Sequence, residues 1–525
     1  MKKIKVFALL ATLFVGIFSN LFTPVVSADE TTATVTIHKL KNKTGPIVNT
    51  GNVLSGYTAS DFLDGITYNV YDVTAAYHAK YNEVYKPAKA QDADDEARDY
   101  VQGTAGLAPT VPGATLVGEP KVTANGGAAT FTLPKTKDGK NAVYVFVEQP
   151  KTGITKAENN LVLSFPVYEL NDKGEYTDNE LSTIHLYPKN TTEDITPVKD
   201  ITTKNSDGAE PVEHNNYNVG QDIGFKLSTK IPANIGIKEV DGTTPHYNTF
   251  GLIDTHDTTL TFNPAGIHEL KVKDTDIVLT ESKENAPADY TIEVGKTVVE
   301  GKDKDTFKVK LTQAGINKLA EQGGKTLEFT YTMKLNANAK IDEANVNKVT
   351  VEYGRDTDDF YDVVTKPGNE KEVYTGGYRF IKTDVSTNKP LAGATFVVRD
   401  AASAGKYLKI DDTTKEISWV TSDADATKFT TGDNGIVDIK GLTYGTYYLE
   451  ETQAPTDYVK LSARIPFIVA FDSYKTTTKT PHNVANTPKG FLPSTGGAGI
   501  ILFVALGAAM VGLAGVYFTS RRKDA

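Results

Sequence analysis

The C-terminal part of the chain contains three polar side chains whose types could form a covalent cross-link. Each of them stands two positions after an apolar residue. Lys382 follows Phe380 by two positions, Glu451 follows Leu449 by two positions, and Asn486 follows a valine in the same way. Side chains two positions apart lie on the same face of a β-strand, so each polar residue shares a face with an apolar one. A charged side chain buried alone is costly, and we therefore expect the three to meet in the interior.

A lysine, an acid and an amide that meet in an apolar interior can react with one another. Burial lowers the pKa of Lys382 and raises the pKa of Glu451, which favours a neutral amine and a protonated acid. The acid would hydrogen-bond to the side-chain carbonyl of Asn486 and polarise it while the amine displaces ammonia. The product is an intramolecular isopeptide bond that forms once, without turnover. The alternative is an ordinary buried salt bridge with an amide hydrogen bond.

The same pattern occurs earlier in the chain. Lys199 alternates with apolar residues, Asp254 follows Leu252 by two positions, and Asn347 alternates with valines. Asn345 has the same parity as Asn347 and remains a second candidate for the amide. We expect Lys199, Asp254 and Asn347 to form a second cluster, again with a buried salt bridge as the alternative.

A third version of the pattern lies near the N-terminus. Lys39 follows Ile37, and Glu148 follows Phe146, which places each on the apolar side of an alternating segment. Asn190 has the parity of the apolar residues before it. Pro188 cannot donate a hydrogen bond to a neighbouring strand, so the strand register around Asn190 is open.

The elements that must position these residues are β-strands. The mature chain consists of alternating apolar segments separated by Asn, Asp and Gly turns, and it has no long stretch of helical periodicity. The fold class is mostly β, in tandem immunoglobulin-like β-sandwich domains. The chain contains no cysteine, so cross-links outside the cell would have to come from chemistry other than disulfides.

Charge and motifs argue against several classes of function. The formal charge of −10 includes +3 from the N-terminal segment and +2 from the C-terminal tail, which leaves −15 for residues 29–495. This charge disfavours nucleic acids and anionic membrane surfaces as partners. The eight histidines are scattered, and no hydrolase, zinc-protease or phosphate-loop motif occurs. The acidic stretches at 356–359 and 423–425 do not complete a calcium loop, so no enzyme activity, cofactor or metal is predicted.

Both ends of the chain carry processing signals. Lys2, Lys3 and Lys5 precede an apolar stretch and Val26-Ser27-Ala28, the arrangement of a removable secretion signal. Near the other end, the motif Leu492-Pro493-Ser494-Thr495-Gly496 precedes an apolar run at 499–518 and a basic stop at 521–523. That run is long enough to cross a membrane, with the basic residues on the cytoplasmic side.

The length between these signals suggests three domains. The predicted boundaries are a signal peptide at 1–28, an N-terminal domain at 29–190, a middle domain at 191–364, a linker at 365–377, a third domain at 378–490 and the C-terminal signal at 491–525. A short surface helix or loop insertion is expected at 92–102.

The C-terminal arrangement resembles the cell-wall sorting signal of Gram-positive surface proteins. In that family a sortase cysteine attacks the Thr-Gly bond, here Thr495-Gly496, and passes the threonyl carbonyl to an amine. The segment Tyr187-Pro188-Lys189-Asn190 resembles the pilin motif of sortase-assembled pilus backbone subunits, in which the motif lysine is that amine. The resemblance implies that Lys189 is the acceptor. The tryptophan frequently found nine residues before that lysine is replaced by Glu180.

The third and second domains also carry resemblances. Residues 378–490 resemble a Cna-B-type repeat, and the stretch Tyr447–Pro455 resembles the pilin E-box, with Glu451 at the motif acid and Asp457 in place of a following glycine. The middle domain is expected to be Cna-A-like. Similar pilin domains form lysine–asparagine bonds assisted by aspartate, which implies that role for Asp254.

The predicted function is that of a structural shaft subunit of a covalent surface pilus, supporting adhesion or colonisation. The implied partners are identical subunits, pilus-specific and housekeeping sortases, ancillary pilins and peptidoglycan, with host matrix proteins as a further class. The implied location is the Gram-positive cell wall. The alternative is a monomeric wall-anchored adhesin, or an ancillary pilin, that binds a host matrix protein; such an adhesin would not need Lys189.

Overall fold

The computed structural model describes residues 31–156, 159–171, 174–203, 214–283, 286–475, 480–490 and 504–511. The chain divides into two compact units. The first unit comprises residues 1–215, 221–340 and 344–373, and the second comprises 216–220, 341–343 and 374–525. The fold is mostly β, as the alternating sequence pattern predicted.

The N-terminal part of the first unit contains fifteen strands and two α-helices among its described residues. The strands are β1 Thr32–His38, β2 Leu40–Lys41, β3 Thr67–Asp72, β4 Thr115–Leu116, β5 Lys121–Val122, β6 Ala128–Pro134, β7 Thr136–Lys137, β8 Lys140–Asn141, β9 Val143–Glu148, β10 Ile154–Lys156, β11 Leu161–Ser164, β12 Tyr168–Leu170, β13 Tyr176–Glu180, β14 Thr183–Leu186 and β15 Lys189–Thr192. The helices are α1 Thr74–Val84 and α2 Ala90–Gln102.

Three sheets organise this part around an apolar core. Their strand orders are β14-β1-β6, β10-β15-β2 and β11-β9-β3-β4, with β5 also paired to β3. Val35 and Ile37 of β1 alternate into the core, as period two requires. The short helix expected at 92–102 is α2, although it buries Ala97 and Val101 and so does not lie wholly at the surface. Helix α1 was not predicted from the sequence.

The second part of the first unit contains eleven strands and one short helix among its described residues. The strands are β16 Val198–Ile201, β17 Asp222–Lys230, β18 Thr249–Asp257, β19 Leu260–Phe262, β20 Glu269–Val272, β21 Val278–Leu279, β22 Tyr290–Val299, β23 Lys302–Leu311, β24 Thr326–Leu335, β25 Asn345–Thr357 and β26 Phe360–Val373, and the helix is α3 Gln313–Lys318. They form two sheets, β16-β17-β24-β20-β21 with β19 also on β24, and β22-β23-β18-β25-β26.

The linker predicted at 365–377 is wrong for most of its length. Strand β26 runs through Val373 and pairs antiparallel with β25, and the next strand begins at Gly376. The polar, Pro- and Gly-containing composition has a different physical cause. Strand β26 lies at the edge of its sheet, where a proline such as Pro367 is tolerated because one side of an edge strand has no neighbour to which a backbone N–H would donate.

The second unit contains nine strands among its described residues. They are β27 Gly376–Asp384, β28 Thr395–Arg399, β29 Tyr407–Ile410, β30 Ile417–Val420, β31 Phe429–Thr430, β32 Ile436–Leu442, β33 Gly445–Gln453, β34 Ile465–Val469 and β35 His482–Asn486. They form one sheet of order β32-β27-β35 and another of order β30-β29-β28-β33-β34, with β31 also on β28. The first and last strands, β27 and β35, are parallel neighbours.

The second unit also includes short segments that the sequence analysis assigned to the middle domain. The backbone N–H of Val219 donates to the carbonyl of Gly441 at 2.9 Å, and the side chain of Asn216 accepts from the Thr443 hydroxyl at 2.6 Å. Residues 216–220 are therefore part of this unit.

The predicted signal peptide lies outside the described residues, as does most of the apolar run at 499–518. Residues 504–511 of that run are helical. Within the described residues, no helix combines the length and apolar character needed to span a membrane.

Candidate functional site

The third-domain residues meet where β27, β33 and β35 approach one another. Strand β27 pairs in parallel with β35 so that Lys382 lies opposite Val484, two residues before Asn486. The Lys382 Nζ donates to Asn486 Oδ1 at 2.5 Å and to the Val484 carbonyl at 2.8 Å. Asn486 Nδ2 donates to both carboxylate oxygens of Glu451, at 3.0 and 3.1 Å. All three residues are at least 98% buried.

The amide of Asn486 therefore lies between the lysine and the acid. The sequence analysis expected the acid to donate to the amide carbonyl, whereas Glu451 accepts from the amide nitrogen in this arrangement. The reason is geometric: Asn486 Oδ1 accepts from the Lys382 amine, and the amide nitrogen is the side that faces the carboxylate. The backbone N–H of Leu461 also donates to Glu451 Oε2, at 2.7 Å, and holds the carboxylate in place. Burial lowers the pKa of Lys382 to about 8, against a smaller opposing effect of Glu451.

The second cluster joins the two sheets of the middle region. Lys199 lies on β16 of one sheet, and Asp254 and Asn347 lie on β18 and β25 of the other. The Lys199 Nζ donates to Asp254 Oδ2 at 2.6 Å, to the Lys348 carbonyl at 3.1 Å and to Asn347 Oδ1. Lys199, Asp254 and Asn347 are fully buried.

Asn345, the second candidate for the amide, is occupied elsewhere. Its Nδ2 donates to the Val373 carbonyl at 3.1 Å, and its Oδ1 accepts from the backbone N–H of Lys340 at 3.1 Å. The structure thus brings Asn347, and not Asn345, to Lys199.

Two further side chains hold the acid of the second cluster. His256 Nδ1 lies 2.7 Å from Asp254 Oδ1, and the Tyr331 hydroxyl donates to Asp254 Oδ2. Asn347 Nδ2 lies 3.4 Å from the Tyr331 oxygen. The sequence analysis missed both residues. His256 shares the parity of Asp254 on the same strand, which was a usable signal, whereas Tyr331 is on another strand whose register the sequence does not give.

The pKa values in the second cluster describe an ion pair. Burial lowers the pKa of Lys199 to about 8, although Asp254 opposes the shift. Burial by itself raises the pKa of Asp254, but the charges of Lys199 and His256 and their hydrogen bonds outweigh burial and lower this pKa to about 2. Asp254 is therefore held as a carboxylate, because its partners stabilise the charged form more than burial disfavours it.

The first cluster forms as well. Lys39 Nζ donates to Glu148 Oε2 at 2.6 Å, and Asn190 Nδ2 donates to Glu148 Oε1. The Tyr68 hydroxyl donates to Glu148 Oε2 at 3.3 Å. The register left open at Pro188 is resolved by the parallel pairing of β15 with β2, in which Asn190 lies opposite Lys41. Here, as in the third cluster, the lysine and the asparagine belong to adjacent strand regions and the acid to another sheet.

Lys189, the predicted acceptor, is the first residue of β15. Strand β14 ends at Leu186, and Pro188 lies between it and β15. The Lys189 side chain is half-buried, and its Nζ donates to the carbonyl of Gly45. Alternation would place Tyr187 on the face opposite to Ile184 and Leu186, yet Tyr187 is buried by a distant segment: its hydroxyl accepts from the Leu54 backbone N–H at 3.0 Å, and its ring stacks on Tyr57.

The donor motif, Leu492, Pro493, Ser494, Thr495 and Gly496, lies outside the described residues. Within the residues that the structure does describe, no group of three or more His, Cys, Asp or Glu side chains is arranged to hold a metal ion.

Comparison with known protein families gives three matches along the chain. Residues 30–191 match the model for the N-terminal D1 domain of Gram-positive pilin subunits. Residues 376–483 match a prealbumin-like fold domain, and residues 486–525 match the LPXTG cell wall anchor motif.

Individual proteins give matches of the same kind. The trypsin-resistant surface T6 protein of Streptococcus pyogenes serotype M6 is 29% identical over 212 residues, a match that covers 30% of this chain and only 39% of that relative. The full-length pilus protein RrgB of Streptococcus pneumoniae is 19% identical, with a TM-score of 0.54 over 89% of this chain and 99% of that one. The major pilin SpaD of Corynebacterium diphtheriae is 20% identical, with a TM-score of 0.44 over 89% of this chain and 99% of that one.

The structural likeness to RrgB concerns the fold, which both chains share over nearly their whole length. The family matches add the identity of the individual domains, from the pilin domain at the N-terminus to the anchor motif at the C-terminus. The chain therefore carries the N-terminal domain of Gram-positive pilin subunits and the LPXTG cell wall anchor motif, which place it at the cell wall in a surface pilus.

Proposed function

We propose that this pilin is the backbone subunit of a covalent pilus, in which Thr495 of one subunit is joined to Lys189 of the next. The observation that carries the proposal is the position of Lys189 in the pilin N-terminal domain: it begins β15, and its amine lies at the surface end of a strand and not in the core. The same chain carries the LPXTG motif, so each subunit has one donor and one acceptor.

A sortase would catalyse the joining reaction in two steps. The sortase cysteine attacks the carbonyl of Thr495, the Thr495–Gly496 bond breaks, and the segment from Gly496 onward leaves with a new amine. The neutral amine of Lys189 on the next subunit then attacks the thioester, the cysteine leaves, and an amide remains. Lys189 must first give up its hydrogen bond to the Gly45 carbonyl.

The three buried clusters would each form an isopeptide bond within a subunit. In the second cluster, the Lys199 ammonium passes a proton to Asp254 along their 2.6 Å hydrogen bond. The amine attacks Cγ of Asn347, Asp254 protonates the amide nitrogen and takes the remaining amine proton, and ammonia leaves. The substrate is the protein itself, so the chemistry occurs once per cluster.

The positions of these bonds suit a shaft under tension. Lys382 and Asn486 lie on the first and last strands of the second unit, and Lys39 and Asn190 lie near the first and last strands of the N-terminal part. A cross-link that closes a loop of about 100 residues stabilises a domain by about 4 to 5 kcal/mol on the loop-entropy model. The trypsin resistance in the name of the streptococcal relative is consistent with domains braced in this way.

The polymer is tested by replacing the acceptor. Lys189→Ala should abolish the high-molecular-weight ladder of the cell-wall fraction on denaturing gels and leave the monomer at its normal amount. Lys41→Ala is a matched control, because Lys41 is an exposed lysine on β2, the strand paired with β15. An unchanged ladder in Lys189→Ala would refute Lys189 as the acceptor, and absence of a ladder from the natural chain would favour a monomeric wall-anchored adhesin.

The internal bonds are tested by mass. The purified ectodomain should weigh less than its sequence predicts by one ammonia per bond, and digestion should release branched peptides that join Lys382 to Asn486 and Lys199 to Asn347. A full theoretical mass would rule the bonds out.

A further inference from the structure

His256 contacts the second cluster, and the chemistry proposed above assigns it no role. It lies on β18 two residues after Asp254, and the antiparallel register with β25 places it directly opposite Asn347. Opposed residues of an antiparallel pair project to the same face with their Cβ atoms about 5 Å apart. His256 therefore sits beside both the acid and the amide of the cluster, and it is only 3% exposed.

The histidine and the lysine use different oxygens of the same carboxylate. His256 Nδ1 lies 2.7 Å from Asp254 Oδ1, whereas Lys199 Nζ lies 2.6 Å from Asp254 Oδ2. Because a carboxylate oxygen can only accept, the hydrogen of this contact is on His256 Nδ1. One oxygen of Asp254 is thus held, and the other is directed at the lysine that must lose its proton.

The acids of the other clusters are held by different groups. In the third cluster a backbone N–H, that of Leu461, donates to Glu451. In the first cluster the hydroxyl of Tyr68 donates to Glu148, as that of Tyr331 does to Asp254 Oδ2, but no histidine contact is added within the part of the chain that the structure describes. Among the described residues, Asp254 receives no hydrogen bond from a backbone N–H, so side chains alone fix the orientation of its carboxylate.

His256 also borders solvent-accessible space. It is one of the residues that line an open groove of about 440 Å³, whose polar lining includes Lys296 and Asp305. Without the ring, water from this groove would reach Asp254 and compete for the oxygen that His256 now holds. Water would also restore the hydration that keeps Lys199 protonated.

We propose that His256 is a positioning residue for the Lys199–Asn347 bond. It holds Asp254 Oδ1 so that Oδ2 can take a proton from Lys199 and later protonate the departing nitrogen of Asn347. His256 neither gains nor loses a proton: the Nζ–Cγ bond forms, the Cγ–Nδ2 bond breaks, ammonia leaves, and Asp254 ends as the neutral acid. The inference rests on the proposed function, since it presupposes that this bond forms.

The test compares side chains that differ in where they place an N–H. In His256→Asn the amide nitrogen can occupy the position of Nδ1, whereas in His256→Gln it lies one bond farther along, nearer the position of Nε2. His256→Leu has no donor at all. The full chain is expressed in a short pulse, and the branched peptide joining Lys199 to Asn347 is quantified over time against the corresponding linear peptides.

We expect His256→Leu and His256→Gln to slow formation of the branched peptide by about tenfold or more, the effect of losing one hydrogen bond to a charged group. His256→Asn should remain within about threefold of the natural chain, since it keeps that hydrogen bond. The branched peptide joining Lys382 to Asn486 is an internal control in every sample, and its rate should not change. Near-ultraviolet circular dichroism of each variant checks that the middle region has folded.

Three outcomes would overturn the inference: equal rates in all variants, equal slowing in Asn and Gln, or slowing of the control peptide to the same degree. If His256→Leu does not fold, the comparison of Asn with Gln still decides the matter, because both are polar and similar in size. Absence of the Lys199–Asn347 peptide from the natural chain would instead refute the bond itself, and so the two failures are distinguishable.

Discussion

The second and third clusters contain the same three chemical groups but connect different parts of a β-sandwich. Lys199 and Asn347 come from the two sheets of the middle region, so a bond between them would tie one sheet to the other. Lys382 and Asn486 come from neighbouring parallel strands, so their bond would reinforce a single sheet. The same alternation of polar and apolar residues in the sequence therefore predicts cross-links of two kinds, one between sheets and one within a sheet.

The clusters also differ in what the acid contacts. Asp254 pairs directly with Lys199, and both are fully buried. Glu451 instead contacts the amide of Asn486, which in turn contacts Lys382. The acid of the second cluster therefore balances a buried charge, whereas the acid of the third cluster mainly orients the group to be attacked. The predictions below test this difference.

The largest expected difference comes from removing each acid while no cross-link can form. In an Asn347→Ala background, Asp254→Ala should cost about 3 to 5 kcal/mol of unfolding free energy, because it removes the carboxylate that balances the buried charge of Lys199. In an Asn486→Ala background, Glu451→Ala should cost only about 1 to 3 kcal/mol, because Lys382 keeps the Val484 carbonyl.

Denaturant unfolding of the four variants, followed separately for the two units, measures both costs. Each single Asn→Ala variant serves as the reference for its own acid, so the loss of the covalent bond cancels. Equal costs in the two clusters would contradict the distinction between a paired acid and an orienting acid.

A second prediction concerns the pH dependence of variants that lack the bond. The pKa of Lys382 is lowered to about 8 in the folded chain, from 10.5, so the unfolded chain binds more protons between these values. The stability of Asn486→Ala should therefore rise by about 1 to 3 kcal/mol as the pH increases from 8 toward 10.5. The double variant Lys382→Met/Asn486→Ala removes the titrating amine and should show a flat profile over the same range.

A third prediction concerns the stability of the second cluster at low pH. Because the folded pKa of Asp254 is about 2, below its usual 3.8, the stability of Asn347→Ala should fall as the pH drops through this interval. Adding Asp254→Ala should remove that fall. A variant pair with identical acid profiles would indicate that Asp254 does not carry its charge in the folded state.

The sequence predicted the three clusters because their parity is local. Alternation within one strand is enough to place Lys382, Asp254 or Asn347 on an interior face, and the cost of burying a lone charge predicts that such residues meet. Asn345 and Asn347 have the same parity, however, and only the register of β25 against β18 decides between them. The same limitation explains why Tyr331 was missed.

Amino-acid composition predicted the local structure less well than the alternation of polar and apolar residues did. The segment at 365–377 has the polar, Pro- and Gly-containing character of a linker, but an edge strand has the same character because one of its sides faces solvent. Tyr187 was placed on an outer face by parity, and a distant segment of the chain covers that face. Coverage by a loop depends on the tertiary fold, which no local pattern encodes.

The smallest expected effect separates the tyrosines of the first and second clusters. Tyr331 is buried against Asp254 and also contacts the amide of Asn347, whereas the Tyr68 hydroxyl reaches Glu148 at the longer distance of 3.3 Å. Tyr331→Phe should slow its bond by about tenfold, and Tyr68→Phe by about threefold or less, in proportion to the hydrogen bonds lost. The branched peptides of the two clusters, quantified in pulse-labelled samples, measure both rates. Greater slowing in Tyr68→Phe than in Tyr331→Phe would contradict this order. It would show that the 3.3 Å hydrogen bond to Glu148 contributes more to bond formation than the shorter hydrogen bond to Asp254 does.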